Sequence, residues 1–141
     1  MKLLCFLITV MLFPFVLYGQ ELKIPPEVKS AFEKLYPKAS EIKWAKDKQS
    51  DYKVGFEDDG KYTAAVFNKK GGLKETKSLF SFAELPKSIA PAIAMKHAGY
   101  YISVAYKIID GKGKASFEVE IKKGKVRKVL RFDQDGRQLA R

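Results

Sequence analysis

The sequence contains few of the residues that usually carry catalysis or metal binding. Its 141 residues include one cysteine, one histidine and one tryptophan. The cysteine, Cys5, lies in an apolar N-terminal segment, so a chain without that segment has no thiol for a disulfide framework. With no second histidine either, neither a metal nor a cofactor is expected. The remaining chain of about 120 residues must be stabilised by burial, and it is long enough to do so as one domain.

The first 20 residues have the layout of a secretory signal peptide. Lys2 supplies a positive charge, and residues 3–17 form a nearly unbroken apolar run. That run is short for the hydrocarbon core of a bilayer, which disfavours a transmembrane anchor. We predict that residues 1–20 are removed by cleavage after Gly19 or Gln20. The mature protein is then periplasmic or secreted, with no stable membrane insertion.

The chain repeats one pattern twice. A helix-like segment recurs at an offset of 61 residues and two later segments recur at an offset of 65, so the second copy carries a four-residue insertion. No linker rich in glycine, serine or proline separates the copies. We therefore predict a single domain over residues 21–141, built from repeats of about 24–83 and 84–141. The matching segments are 24–32 with 85–93, 52–56 with 117–121, and 67–71 with 132–136.

Each copy predicts a short helix with one apolar stripe. Pro25 and Pro26 suit the first helix entry, and Pro37 stops that helix soon after Tyr36. The second helix begins near Ser88, because Pro91 is tolerated only in a first turn, and Gly99 marks its end. The stripes are Val28, Ala31, Phe32 and Leu35 in the first copy, and Ile89, Ala92, Ile93 and either Met95 or Lys96 in the second.

Each copy also predicts a hairpin whose register follows from its turn. We place the first turn at Asp59-Gly60, a strong two-residue signal, and the second at Lys123-Gly124. Both registers put the large apolar side chains on one face, where the helix can cover them. The predicted pairs are Phe56 with Thr63, Val54 with Ala65 and Tyr52 with Phe67, then Ile121 with Val126, Val119 with Lys128 and Phe117 with Leu130.

These elements predict an α+β fold of two tandem α-β-β-β(-β) repeats. Two helices pack on one face of an antiparallel sheet of six to eight strands. Residues 73–80 are a candidate fourth strand, whereas only 137–141 remain for its counterpart in the second copy. The last strand is therefore expected to be short.

The helix-free face of the sheet differs between the copies. In the second copy it carries cross-strand charges, with Glu120 expected opposite Arg127 and Glu118 diagonal to Arg127 and Arg131. In the first copy it is smaller, flatter and more apolar, which makes it the best candidate for a docking surface. Its predicted residues are Lys53, Gly55, Tyr62, Ala64 and Val66.

Two motifs suggest chemistry but have simpler explanations. His97, the single histidine, aligns with Tyr36 at a helix end, with no nucleophile pattern nearby. Residues 133–136 look like the start of a calcium loop, but no distal glutamate follows, and the first copy has two lysines at the matching place. We interpret His97 as structural and residues 133–136 as a turn.

The positive charge is concentrated in the second repeat. Residues 84–141 contain 13 basic and 6 acidic residues, whereas residues 21–83 contain 13 and 10. Such an excess attracts anionic partners by long-range steering, although lysines also keep sheet edges soluble. Nucleic acid is an unexpected partner for an exported protein. Anionic envelope polymers, such as lipopolysaccharide or acidic glycans, are better candidates.

The framework resembles the beta-lactamase-inhibitor-like, PepSY-like proteins of the bacterial envelope. The resemblance rests on the helix ending in residues 34–39, on Lys43-Trp44, and on the hairpin closing in residues 67–71, with second-copy matches at 85–86, 99–100 and 132–136. It covers nearly all of the mature chain. It implies a small exported protein whose sheet is cupped around a protein partner, and it supplies no catalytic residues.

These observations give two functional hypotheses. The first is a non-enzymatic exported interaction module, inhibitor-like, that binds an envelope or exported protein through the helix-free face around Lys53, Tyr62, Arg127 and Arg131. The alternative is an electrostatic binder of anionic envelope polymers through the basic second repeat. An enzyme is disfavoured, because no nucleophile–base pair, metal set or phosphate loop is present.

Overall fold

The structure is a computed structural model that describes residues 21–140, so the predicted signal peptide and Arg141 lie outside the described residues. The chain forms two α-helices, a short 3-10 helix and seven strands. In order these are α1 (Pro26–Leu35), β1 (Ser40–Lys46), β2 (Tyr52–Asp58), β3 (Lys61–Phe67), β4 (Leu73–Phe80), the 3-10 helix Phe82–Glu84, α2 (Ile89–Lys96), β5 (Tyr101–Asp110), β6 (Ala115–Lys123) and β7 (Val126–Asp133).

The seven strands form one antiparallel sheet whose strand order follows the chain from β1 to β7. The predicted α+β class, with two helices on one face, is confirmed. The candidate fourth strand at residues 73–80 is β4. The expected short strand at the C-terminus is reduced to one bridge between Phe132 and Gln138. In residues 21–140 neither helix has the length and apolarity needed to cross a bilayer.

Each helix packs through its first two turns only. Val28 and Phe32 of α1 and Ile89 and Ile93 of α2 are buried. The fourth residue predicted for each apolar stripe is exposed instead of buried, so that part of the prediction is wrong. The chain turns away at the residue after each helix, and Tyr36 packs on Phe56 with ring centroids 4.5 Å apart. The exposed fourth positions are Leu35 in α1 and Met95 and Lys96 in α2.

Two apolar cores lie between the helices and the sheet. The core under α1 is rich in aromatic side chains, and the core under α2 is mostly aliphatic. β4 connects them, because Leu73 at its start packs on the first core and Phe80 at its end packs on the second. The buried residues are Val28, Phe32, Tyr52, Val54, Phe56, Ala65 and Phe67 in the first core, and Ile89, Ile93, Ala105, Phe117, Val119, Ile121, Leu130 and Phe132 in the second.

The register of the first hairpin is confirmed pair for pair, whereas that of the second is wrong by two residues. Val119 lies opposite Leu130, not Lys128, because the turn is Gly124-Lys125. Gly124 has φ of 56° at the first turn position, as in a type II′ turn, whereas the first hairpin has positive φ at both turn residues. A shift of two residues keeps every side chain on its predicted face. The observed pairs are Ile121 with Lys128, Val119 with Leu130 and Phe117 with Phe132.

The four-residue insertion lengthens the hairpin formed by β5 and β6. The pair Lys107–Phe117 corresponds to Lys46–Tyr52 in the first repeat, and the longer hairpin adds further pairs at Ile108 and Ile109. These same residues pair with Lys77 and Thr76 of β4. The insertion therefore helps to join the two repeats into one sheet.

The two ends of the sheet are built differently. At one end, which we call the turn end, an Asp or Asn side chain closes each connection by accepting backbone N–H groups two and four residues further on. At the opposite end, which we call the helix end, lie the C-termini of both helices and the two-residue turns of the β2–β3 and β6–β7 hairpins. The turn-end side chains are Asp47, Asn68, Asp110 and Asp133.

The start of each helix packs against a turn at the turn end of the sheet, and in both repeats the closest residue of that turn is a glycine. Gly71 has φ of 83° and Gly136 has φ of 78°, at equivalent positions of the two repeats. A β-carbon at Gly71 would meet the backbone carbonyl of Glu27 in α1, and one at Gly136 would meet Ser88, the residue before α2. Both the positive φ and the close approach favour glycine.

Candidate functional site: the open face of the sheet

The face of the sheet opposite the helices is solvent-accessible, and we call it the open face. Strand alternation and the observed registers place polar and aromatic side chains there from every strand. The open face comprises Lys43 and Ala45 on β1; Lys53, Gly55 and Glu57 on β2; Tyr62, Ala64 and Val66 on β3; Glu75, Lys77 and Leu79 on β4; Tyr101, Val104, Tyr106, Ile108 and Asp110 on β5; Ser116, Glu118, Glu120 and Lys122 on β6; and Arg127, Val129, Arg131 and Asp133 on β7.

Two of the four predicted site residues line a shallow cleft at the centre of the open face. Lys53 and Tyr62 lie beside Ala64, Lys77 and Tyr106 around a volume of about 200 Å³. The cleft thus joins strands β2 and β3 of the first repeat to β4 and to β5 of the second. The two tyrosines supply the aromatic area in which protein-docking surfaces are enriched, and the two lysines add hydrogen-bond donors.

Tyr62 is placed by a glycine on the neighbouring strand. Its ring lies over Gly55, where a β-carbon would overlap the phenol group. Gly55 is consequently buried although it faces the open side, while 55% of Tyr62 stays exposed. The glycine lets the phenol end of Tyr62 approach the neighbouring strand closely, and the rest of this large aromatic side chain remains available for contact.

The floor of the cleft continues into an ion-pair network on Glu118. Lys77 Nζ lies 2.5 Å from Glu118 Oε1 and 4.3 Å from the centroid of the Tyr106 ring. Arg131 donates to the other carboxylate oxygen, with 3.0 Å between Nη2 and Oε2. Burial acts to raise the pKa of Glu118, but the hydrogen bonds and charges of Lys77 and Arg131 outweigh it and keep that pKa below its ordinary value.

A second network centres on Glu120. The Ser103 hydroxyl donates to the carboxylate at 2.9 Å, and Lys122 and Arg127 approach it at 3.3 and 3.6 Å. The hydrogen bond from Ser103 is the main cause that lowers the pKa of Glu120. The predicted position of Glu120 opposite Arg127 is wrong, because Glu120 faces Val129 and meets Arg127 diagonally, whereas Glu118 lies directly opposite Arg131.

Arg127 and Arg131, the other two predicted site residues, lie on β7, at the far edge of the sheet. They share the open face with Lys53 and Tyr62, but β7 is four strands from β3, roughly 19 Å at the usual spacing between strands. Arg131 also borders a separate groove of about 420 Å³, formed with Glu118, Val129 and Leu139. The four residues therefore form two groups, one at the centre of the open face and one at its edge.

The open face is close to electrically neutral. It carries six basic and six acidic side chains, and most of the central ones are paired. The excess positive charge of the second repeat therefore lies elsewhere on the molecule. A face whose charges are balanced and mostly paired offers no net attraction to a polyanion.

Sequence reasoning missed two residues of the cleft, Lys77 and Tyr106. Both lie on strands that were predicted, and alternation from Phe80 on β4 and Ala105 on β5 would have placed them on the open face. What the sequence did not reveal was that β4 pairs with β5, which brings Lys77 beside Tyr106. That pairing crosses the boundary between the repeats.

The two motifs that suggested chemistry occupy structural positions. His97 follows α2, with its backbone N–H bonded to the carbonyl of Ile93, as Tyr36 bonds Phe32 after α1. The Asp133 carboxylate accepts the N–H groups of Asp135 and Arg137, as the Asn68 side chain does in the first repeat. In residues 21–140 no group of three acidic, histidine or cysteine side chains could hold a metal.

Solved structures of the same fold come from Bacteroides. A DUF2874 family protein from Bacteroides uniformis has a TM-score of 0.74 at 21% identity, covering 82% of this chain and 86% of that one. A BLIP-like protein from Bacteroides fragilis has a TM-score of 0.71 at 22% identity, with 86% of each chain covered. A protein described as "putative periplasmic" from Bacteroides eggerthii has a TM-score of 0.76 at 19% identity, covering 84% and 88%.

These likenesses confirm the beta-lactamase-inhibitor-like fold that the sequence predicted. No family model and no curated protein matches the sequence. At identities near 20% the similarity establishes the arrangement of helices and strands, and function has to be argued from the surface.

Proposed function

We propose that the protein is a non-enzymatic, exported interaction module that binds another envelope or exported protein through the open face. The observation that carries the proposal is the central cleft, where Tyr62 and Tyr106 lie beside Lys53 and Lys77 on a face left uncovered by the helices. The inhibitor-like role is supported by the fold of the BLIP-like protein from Bacteroides fragilis. Export is supported by the N-terminal sequence and by the Bacteroides eggerthii neighbour.

The chemistry of the face fits this role. Tyrosine and arginine are enriched at the energetic centres of protein interfaces, which are surrounded by residues that exclude water. Here Tyr62 forms the exposed centre, while the paired Glu118 and Glu120 networks form a polar border towards β7. Arg127 and Arg131 are already engaged by these glutamates, so we expect them to contribute less to binding than Tyr62 and Lys53.

A differential pull-down tests the proposal. The mature chain, residues 21–141, is immobilised and exposed to envelope extract, then washed at low salt and at roughly 0.5 M, where surface charges are screened. The variant combines Tyr62→Ala with Lys53→Glu. Because removal of a central tyrosine commonly costs about 2 kcal/mol, we expect its affinity for the captured protein to fall about thirtyfold.

The matched control combines Phe82→Ala with Lys69→Glu, which change an exposed aromatic residue and an exposed lysine outside the open face. A protein retained through the high-salt wash by the wild type and the control, but not by the open-face variant, supports the proposal. Equal retention by all three forms would show that the open face is not the docking surface. Charge reversal of Arg127 and Arg131 is expected to weaken binding by a smaller factor.

The alternative predicted from the sequence, electrostatic binding of an anionic envelope polymer, concerns a different part of the molecule. The open face offers it no net charge. Its basis is the lysine excess of the second repeat. Four of those lysines lie together at the helix end of the sheet, and they lead to a separate inference.

A further inference from the structure

Four lysines of the second repeat that form no ion pair in residues 21–140 lie where α2 ends beside the turn between β6 and β7. Lys123 Nζ lies 3.4 Å from the carbonyl oxygen of Ala98, which fixes this turn against the end of the helix. Tyr100 lies between the two, with Lys128 Nζ and Lys123 Nζ 4.9 and 5.9 Å from its ring centroid. Lys96 ends α2, and Lys125 is the second residue of the turn.

We call this surface the basic rim and define it by Lys96, Lys123, Lys125 and Lys128. Residues 95–100 and 121–128, which form it, include no acidic side chain. Within residues 21–140 none of the four lysines forms an ion pair, in contrast to Lys77 and Lys122 on the open face. Four positive charges therefore lie at one end of the molecule, and none of them is paired with a carboxylate of the described residues.

The equivalent rim of the first repeat shows that the fold does not require these lysines. At an offset of 65, Lys122 and Lys123 correspond to Glu57 and Asp58, and Lys128 corresponds to Thr63. At an offset of 61, Lys96 corresponds to Leu35. The two rims share the same backbone structure but differ in charge. The lysines of the basic rim are therefore specific to the second repeat and are not needed for the fold.

Exposed apolar side chains accompany the lysines. Met95, in the last turn of α2, is 86% exposed, and Tyr101 and Val126 are 60% and 51% exposed at the starts of β5 and β7. Val126 pairs with Lys123 and lies with it on the helix-covered face, whereas Tyr101 pairs with Lys122 and lies at the same end of the sheet on the open face. A soluble polyanion would leave Met95 and Val126 in water, whereas a lipid surface could bury them.

We propose that the basic rim docks on an anionic lipid surface. The four lysines contact lipid phosphate groups, and Met95 and Val126 enter the boundary between headgroups and acyl chains. Docking through the helix end leaves the open face accessible, so the protein binds its partner while resting on a membrane surface. This binding mode is peripheral and inserts no helix.

Vesicle sedimentation tests the inference, with vesicles of equal parts phosphatidylglycerol and phosphatidylcholine and with vesicles of phosphatidylcholine alone. The wild type is expected to bind only the anionic vesicles. Lys96→Glu with Lys125→Glu should weaken binding at least about 25-fold, since each lysine near such a surface contributes about fivefold, or about 1 kcal/mol. The control, Lys69→Glu with Lys70→Glu at the turn end, changes the charge equally and should alter binding less than threefold, roughly the effect of screened distant charges.

A second variant separates a lipid surface from a soluble polyanion. Met95→Ser with Val126→Ser is expected to weaken vesicle binding several-fold and to leave any binding of inorganic polyphosphate unchanged. If this variant binds vesicles like the wild type, or if the turn-end control is as weak as the rim variant, the inference is wrong. Circular dichroism of each variant verifies its fold, and the Tyr62→Ala, Lys53→Glu variant should still bind vesicles, which keeps this test independent of the open face.

Discussion

The two repeats place apolar side chains at the same eight positions of the core but fill them differently. Two of the eight keep their residue, and five of the other six exchange one apolar residue for another of different shape. Of these six positions, the larger side chain lies in the first repeat at four and in the second at Ile89 and Leu130, where the first has Val28 and Ala65. The matched positions are Val28 and Ile89, Phe32 and Ile93, Trp44 and Ala105, Tyr52 and Phe117, Val54 and Val119, Phe56 and Ile121, Ala65 and Leu130, and Phe67 and Phe132.

The surfaces of the repeats diverge much further than the cores. The open-face position held by Lys53 in the first repeat holds Glu118 in the second, and the Gly55 position holds Glu120. Since the backbone plan is shared, these exchanges do not serve the fold. The proposed docking surface thus belongs mainly to the first repeat and β5, whereas the charge pairs and the basic rim belong to the second repeat.

The largest expected effect comes from truncating one matched core pair, Phe56→Ala and Ile121→Ala. Phe56 is fully buried and contacts the rings of Phe32 and Tyr36, so its loss should lower the free energy of unfolding by about 3–5 kcal/mol, and the loss of Ile121 by about 2–5 kcal/mol. Urea unfolding followed by circular dichroism measures both. Trp44, the single tryptophan, reports on the first core by fluorescence.

This pair also tests whether the repeats form one cooperative domain. If they do, Ile121→Ala shifts the Trp44 transition although Ile121 lies in the other core. A shift seen by circular dichroism but not by Trp44 would mean that the halves unfold separately. Ile121→Val, expected to cost about 0.5–1.5 kcal/mol, replaces the alanine variant if that variant does not fold.

An intermediate effect on stability is expected at the matched open-face position that carries a positive charge in the first repeat, at Lys53, and a negative charge in the second, at Glu118. Glu118→Gln removes the carboxylate that pairs with Lys77 and Arg131 and should lower the free energy of unfolding by about 1–2 kcal/mol near neutral pH. The matched change Lys53→Gln should alter it by less than about 0.5 kcal/mol, because Lys53 is exposed and forms no ion pair in residues 21–140. Part of the Glu118 effect is screened, since Arg131 is half exposed.

The pH dependence of this difference has a definite sign. The folded-state pKa of Glu118 lies below its unfolded value, so the stabilisation is complete above the unfolded pKa and is lost as the pH falls through the folded pKa. Wild type and Glu118→Gln should therefore converge in stability in acid. A constant gap between them from neutral to acid pH would contradict the ion-pair explanation.

The smallest effect on stability is expected at Gly55→Ala. The backbone tolerates a side chain there, because Glu120 occupies the matched position, and the phenol group of Tyr62 is free to swing away. The free energy of unfolding should change by less than about 1 kcal/mol. Binding of the captured partner should nevertheless weaken, since Tyr62 no longer lies on the glycine. Unchanged binding would indicate that the position of Tyr62 is unimportant for docking.

The sequence predicted the elements well and the contacts between repeats poorly. Proline and glycine positions located both helices, and Asp59-Gly60 fixed the first hairpin. The second register failed because the glycine was assumed to be the second turn residue. Both ends of the first hairpin, Tyr52 and Phe67, match the second repeat at the same offset of 65, so the two hairpins have equal length. The turn matching Asp59-Gly60 is then Gly124-Lys125, as the structure shows.

For the candidate site, the alternation of side chains along each strand predicted which residues lie on the open face, but not which of them are neighbours. Lys53 and Tyr62 meet because their strands form one hairpin, which is local information. Their distance from Arg127 and Arg131 depends on strand order across the whole sheet, and the pairing of Lys77 with Glu118 depends on the junction of the repeats. No local pattern encodes either.

β4 has a mechanical consequence for the molecule. Its two ends are anchored in different cores, through Leu73 and Phe80, and it is hydrogen-bonded to a strand on each side. Bending the sheet along this line would disturb close packing in both cores at once, and packed interiors resist such deformation. The open face is therefore expected to be rigid, and any protein that binds it as proposed must match a shape that is already set before binding.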